Sequence, residues 1–125
     1  MACRMSELVL DCHDPETLAR FWCAVLDYRV LERDTDGSIE IGPEAGFGGL
    51  QPTILLSPIT EPKVGKLRLH WDVNPTDVDQ AVELQRLLAL GARPVDIGQS
   101  GAESWHVLAD PEGNEFCLLR SRLDP

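Results

Sequence analysis

The feature that most constrains this chain is an internal repeat of element order. Each half reads strand, helix, strand, strand, strand, within 125 residues. Met5 to Asp11 alternates as a strand, with Glu7, Val9 and Asp11 on one face and Leu8 and Leu10 on the other. Asp14 is a good N-cap, and Pro15 suits the first helical position, where its missing N–H costs nothing. Leu18, Phe21, Trp22, Val25 and Leu26 then make one apolar stripe, read as the face that packs on a sheet rather than as an aromatic binding face. Strands follow at Tyr28 to Glu32, Ser38 to Ile41 and Thr53 to Leu56, with Asp36-Gly37 as a tight turn. The Gly-rich stretch Gly42 to Gly49 lacks the Lys-Ser/Thr ending of a phosphate loop and reads as a flexible loop.

The order then repeats. Pro58 to Gly65 is a connector, with too many prolines and glycines for a central element. Leu67 to Val73 alternates as a strand, placing Arg68, His70 and Asp72 on one face. Thr76 or Asp77 is expected to cap a second helix, whose apolar positions include Val78, Ala81, Val82, Leu84, Leu87 and Leu88 and which Gly91 ends. Arg93 to Ile97, Ser104 to Ala109 and Glu115 to Arg120 are the last strands, the final two joined by the DPEGN turn. Laid over each other, the halves match Glu7 with His70 and Asp14 with Asp77. The expected organisation is one domain over 1–125, with module 1 about 5–57, the connector 58–65 and module 2 about 66–121. Its class is α+β: two βαβββ modules forming curved mixed sheets around a groove, one helix per module on the convex face. Such a groove is a natural place for a small ligand.

Composition narrows the partners. The net charge of −10, with no run of Lys and Arg, argues against nucleic acid and against anionic membranes. Nothing approaches the ~20 consecutive apolar residues of a membrane span. Cys3, Cys12, Cys23 and Cys117 form no CxxC pair. A reducing, cytoplasmic setting with free thiols is expected. Exposed edge strands point to a homodimer.

Several residues are candidates for chemistry. His70 interrupts an apolar strand, as a ligand, a general base or a hydrogen-bonded cavity residue. Arg68 and Asp72 share its face and are ligand-binding candidates. An inward Trp105 would stack on a planar ligand, whereas an outward one joins the core. His106 and His13 read as surface residues. Cys117 reads as a buried thiol rather than a nucleophile, since a nucleophile needs a base and a depressed pKa.

Three segments together resemble a known superfamily. VLDCHDPETLARFW, KLRLHWDVNPTDVDQAVELQRLLALGA and WHVLADPEGNEFCL are similar, in that order and spacing, to glyoxalase-like domains of the vicinal oxygen chelate superfamily, which includes glyoxalases, bleomycin resistance proteins and extradiol dioxygenases. The resemblance implies paired βαβββ modules and a divalent metal held from their first and last strands. It puts metal ligands on Glu7 and His70, and the last-strand ligand, usually Glu, on Cys117, with Glu115 as a substitute on the same face. The fourth ligand should fall near Thr53 to Ser57, where no carboxylate or imidazole occurs. The reading is a glyoxalase-like small-molecule-binding protein with a degenerate metal site and no cofactor that the residues by themselves demand. The alternative is a metal-dependent lyase, isomerase or dioxygenase that uses His70 and Glu7 as its catalytic candidates.

Overall fold

The computed structural model describes all 125 residues, and the chain separates into two compact units, Met1–Pro62 and Lys63–Pro125. Both are built on the same plan, so the two-module βαβββ architecture expected from the repeat is present. In the first unit the order is β1 (Glu7–Cys12), α1 (Pro15–Leu26), β2 (Arg29–Arg33), β3 (Ile39–Gly42) and β4 (Thr53–Pro58). The sheet runs β1-β4-β3-β2, with β1 and β4 parallel and the other neighbours antiparallel.

Asp14 caps α1, its side chain accepting from Thr17 N and the Thr17 hydroxyl. Leu18, Phe21 and Trp22 are buried, with the two rings edge-to-face at 5.0 Å. They pack against Ile39 and Ile41 of β3 and Ile54 and Leu56 of β4, which are also buried. The aromatic stripe is therefore core. Gly42 is required by close approach: a Cβ there would come 2.7 Å from both Leu31 and Thr53 side-chain carbons.

In the second unit the order is β5 (Asp72–Val73), α2 (Gln80–Leu90), β6 (Arg93–Pro94), β7 (His106–Ala109) and β8 (Glu115–Leu118). Its sheet, β5-β8-β7-β6, repeats the parallel and antiparallel pattern of the first. The DPEGN turn is held by buried Asp110, which accepts from Glu112 N, Asn114 N and Asn114 Nδ2.

Three expectations change here. The cap of α2 is Asp79, which accepts from Val82 N, not Thr76 or Asp77. The strand expected over 67–73 is paired only at 72–73, because Leu67 N donates to the Glu115 carboxylate instead of a ladder. The strand expected over 93–97 stops at Pro94, because the Gln99 side chain takes both Ile97 N and Val95 O. On α2, Leu87 is buried while Val82 is 54% exposed, so the apolar stripe is only partly used.

The corrected cap also corrects the match between halves. Glu7 pairs with Thr53 across β1 and β4, and Asp72 pairs with Cys117 across β5 and β8. Thr53 N donates to Ser6 O, and Cys117 N donates to Trp71 O, in the same relation. Glu7 and Asp72 each stand seven residues before an N-cap. Asp72, rather than His70, therefore occupies in the second unit the place of Glu7 in the first.

Candidate metal centre

The site in the second unit is set by strand register. Parallel pairing puts Asp72 beside Cys117, and His70 stands two residues before Asp72, just ahead of β5. One ligand atom from each of His70, Asp72 and Cys117 lies within 4.8 Å of the other two. Cys117 is buried, His70 is half-buried and Asp72 is exposed. His70 Nδ1 is out of reach of solvent and has no hydrogen-bond partner. Burial pushes the Cys117 thiol up, and the charge and hydrogen bond of Asp72 push it further, against a smaller opposing pull from Lys66. Cys117 is thus a protonated thiol without an ion beside it, as expected of an unreactive buried cysteine.

Nitrogen, oxygen and sulfur donors this close fit a divalent transition ion. Three protein donors also leave room for a water or a ligand atom on such an ion. The orphaned Nδ1 supports the fit, because a buried unsatisfied polar atom costs about 1–3 kcal/mol unless something engages it.

Glu115 is not available as a substitute ligand. Its Oε1 accepts from Lys63 Nζ at 2.8 Å and its Oε2 from Leu67 N at 3.1 Å. Burial pushes this carboxyl up, but the bonds from Lys63, Leu67 and its own backbone overcome that and hold it below the usual range.

Glu7 lies in the first unit, on the sheet face away from α1. The Thr53 hydroxyl sits 3.4 Å from Glu7 Oε2 and 3.0 Å from Glu40 Oε2. Glu7 is raised above the usual carboxylate range, first by its hydrogen bond with Glu40, then by burial and by the Glu40 charge; Thr53 opposes this. Glu7 and Glu40 line a cavity of about 170 Å³ together with Glu32, Asp34, Ser38 and Leu55. Thr53 is fully buried and carries no ligating group of the kind expected near it.

Trp105 is 43% exposed and lines a second cavity of about 580 Å³ with Leu84, Leu88 and Val95. His70, Asp72 and Cys117 do not line it, so Trp105 is not brought to the donor cluster. Arg68 is exposed, as are His13 and His106. None of the four cysteines forms a disulfide. The strand pattern placed Asp72 beside His70, yet its part in the donor set was missed. The signal was its i+2 spacing from a histidine on a strand that pairs with the cysteine strand.

The fold and site define a protein of paired βαβββ modules with a side-chain donor cluster at the first and last strands of its second module. The chain belongs to the glyoxalase-like domain family, which it matches over residues 7–119. Among solved structures, it superposes on the fosfomycin resistance protein FosX from Mesorhizobium loti with a TM-score of 0.69 at 17% identity, covering 98% of this chain and 95% of that one. It superposes on a FosX variant from Listeria monocytogenes, complexed with Mn(II) and 1S,2S-dihydroxypropylphosphonic acid, with a TM-score of 0.70 at 12% identity, covering 98% and 94%. The trypanothione-dependent glyoxalase I of Leishmania major gives a TM-score of 0.63 at 16% identity, covering 95% and 87%. No curated protein sequence matches the chain. These likenesses establish the fold. No helix is long and apolar enough to cross a membrane.

Proposed function

We propose that this chain is a glyoxalase-like small-molecule-binding protein that holds a divalent metal at His70, Asp72 and Cys117. The observation that carries this reading is the convergence of the three donors within 4.8 Å, two of them, Asp72 and Cys117, on strands paired in register. Membership of the glyoxalase-like family and the fold shared with a Mn(II)-containing FosX support it. In this reading the family's ligand set is altered rather than erased.

A bound ion would act as a Lewis acid toward an oxygen of the ligand, the chemistry that lyases, isomerases and dioxygenases share. The protein's part is to bind and orient. Buried Cys117 fixes one donor on paired β8, half-buried His70 adds a second just ahead of β5, and exposed Asp72 closes the set from the solvent side. In the first unit, Glu7 holds a proton at its carboxyl more firmly than an ordinary glutamate. That makes it the acid–base candidate of the chain.

The test is elemental analysis of untagged protein purified without chelator, followed by calorimetric titration with vicinal-oxygen compounds such as diols, α-hydroxycarbonyls and hydroxyphosphonates, with and without metal. One ion per chain and metal-dependent ligand binding are expected. Failure to retain or take up Mn, Fe, Ni or Zn overturns the metal assignment. Ligand binding that persists in that case identifies a metal-free binding module, in which the Cys117 thiol simply hydrogen-bonds to Asp72.

A further inference from the structure

We infer that Cys117 enters the metal centre as a thiolate ligand and makes it a zinc-class site that discriminates against Mn(II) and Mg(II). This rests on the metal reading above and adds the identity of the ion.

The donor set carries the argument. Mn(II) and Mg(II) favour oxygen-rich ligand sets, whereas thiolate with imidazole favours zinc and its neighbours in the affinity series. Of the three donors here, one is sulfur, one nitrogen and only one a carboxylate oxygen. The sulfur is also the donor that the backbone fixes best. Cys117 is 5% exposed in the centre of β8, bonded through its N–H to Trp71 O and paired with both Asp72 and Val107. Asp72 is the exposed member and the one freest to adjust.

Asp72 is the one carboxylate among the clustered donors. The nearby carboxylate on the same strand face, Glu115, is committed to Lys63 and Leu67 N. Nδ1 of His70 is buried and unsatisfied, and an imidazole donor favours an ion that prefers nitrogen over one that prefers water. Binding is balanced by one proton: the Cys117 S–H bond breaks, the sulfur–metal bond forms, and the proton passes to solvent.

The experiment uses the full chain, stripped with chelator and kept reduced and anaerobic. Co(II) is added as a spectroscopic stand-in for zinc. The wild type is expected to develop an intense near-ultraviolet thiolate-to-cobalt band at one equivalent, abolished by stoichiometric Zn(II) and unaffected by a tenfold excess of Mn(II) or Mg(II). A variant with Cys3, Cys12 and Cys23 all replaced by serine should keep the band, and Cys117→Ser should lose it. Since Cys117 is buried and its variant could misfold, X-ray absorption of the zinc-loaded wild type provides a second reading. One sulfur neighbour at about 2.3 Å is expected. Co(II) or Zn(II) bound with only nitrogen and oxygen neighbours overturns the thiolate inference and leaves the metal reading standing. Displacement of cobalt by Mn(II) overturns the selectivity. No uptake of cobalt, zinc or manganese brings down the metal reading itself.

Discussion

Glu115 is 7% exposed, and both of its carboxylate oxygens are engaged, one by Lys63 and one by Leu67 N. Its pKa lies below the usual value, so the folded state binds fewer protons than the unfolded one around that range. Its stabilising contribution is present above about pH 4.3, the unfolded glutamate value, and is lost as pH falls through the lower folded value. Glu115→Gln is expected to lower stability by about 1–3 kcal/mol at pH 7, since it leaves Lys63, which is partly solvated, without its counter-charge. The difference from wild type should shrink below pH 4, as followed by urea denaturation at several pH values. A constant difference down to pH 2 would show that the effect is packing alone. This residue illustrates what the sequence could and could not reveal. Its position on the Cys117 face was legible from alternation. Its commitment to Lys63 was not, because Lys63 is 52 residues away in a stretch that reads only as a connector. Cys117 and His70 were brought together by the family resemblance, alternation put Asp72 on the face of His70, and register set Asp72 beside Cys117.

At the scale of elements, the first unit followed its local signals more closely than the second. Asp14-Pro15 offers one strong start, and α1 begins there. The second start offers Thr76, Asp77 and Asp79 within four residues, all competent caps, and tertiary packing selects the last. Strands β5 and β6 are shorter than their patterns suggest, since side chains of Glu115 and Gln99 capture backbone N–H groups that a ladder would use. Such captures depend on neighbours in space and leave little trace in periodicity. The end of α1 yields a prediction. Asp27 is the only non-glycine residue with positive φ, at 56°, and it puts a negative charge at a helix C-terminus. α2 ends on Gly91 in the same left-handed region. Asp27→Gly should relieve about 1–2 kcal/mol of left-handed strain against an unfolded-state cost of about 0.4–1 kcal/mol. The net expectation is a gain of about 0.5–1 kcal/mol, readable as a higher melting temperature with an unchanged far-ultraviolet spectrum. A loss of stability would mean that the Asp27 side chain makes a contribution of its own.

On the scale of the whole molecule, the repeat was legible because element order survives where sequence identity between halves does not. Charge is divided less evenly than structure. Residues 1–62 hold eleven acidic and four basic side chains, whereas residues 63–125 hold ten and seven. The excess in the first unit includes Glu7, Glu32, Asp34 and Glu40 around one small cavity. Proximity of like charges there has a definite sign. Glu7 is raised, so the folded state is favoured below the unfolded glutamate pKa, and that advantage is lost as pH rises through the higher folded value. At neutral pH the Glu7–Glu40 contact is therefore a cost, opposite to the Glu115 contact. Glu40→Gln turns one of the two acceptors into an amide donor, so Glu7 keeps a hydrogen bond and loses a repelling charge. Its melting temperature at pH 7 should rise by about 1–3 °C, in line with the small worth of such partly solvated pairs. At pH 4 the gain should vanish, because the wild-type pair can then share a proton. Added salt should narrow the gap at pH 7 as well, and should raise the wild-type melting temperature by screening a net charge of −10. A variant that gains nothing at pH 7, or gains equally at pH 4 and in high salt, would show that the two carboxyls do not repel. In that case the acidic face of the first unit carries no electrostatic strain that a cationic ligand or an acid–base role at Glu7 could draw on.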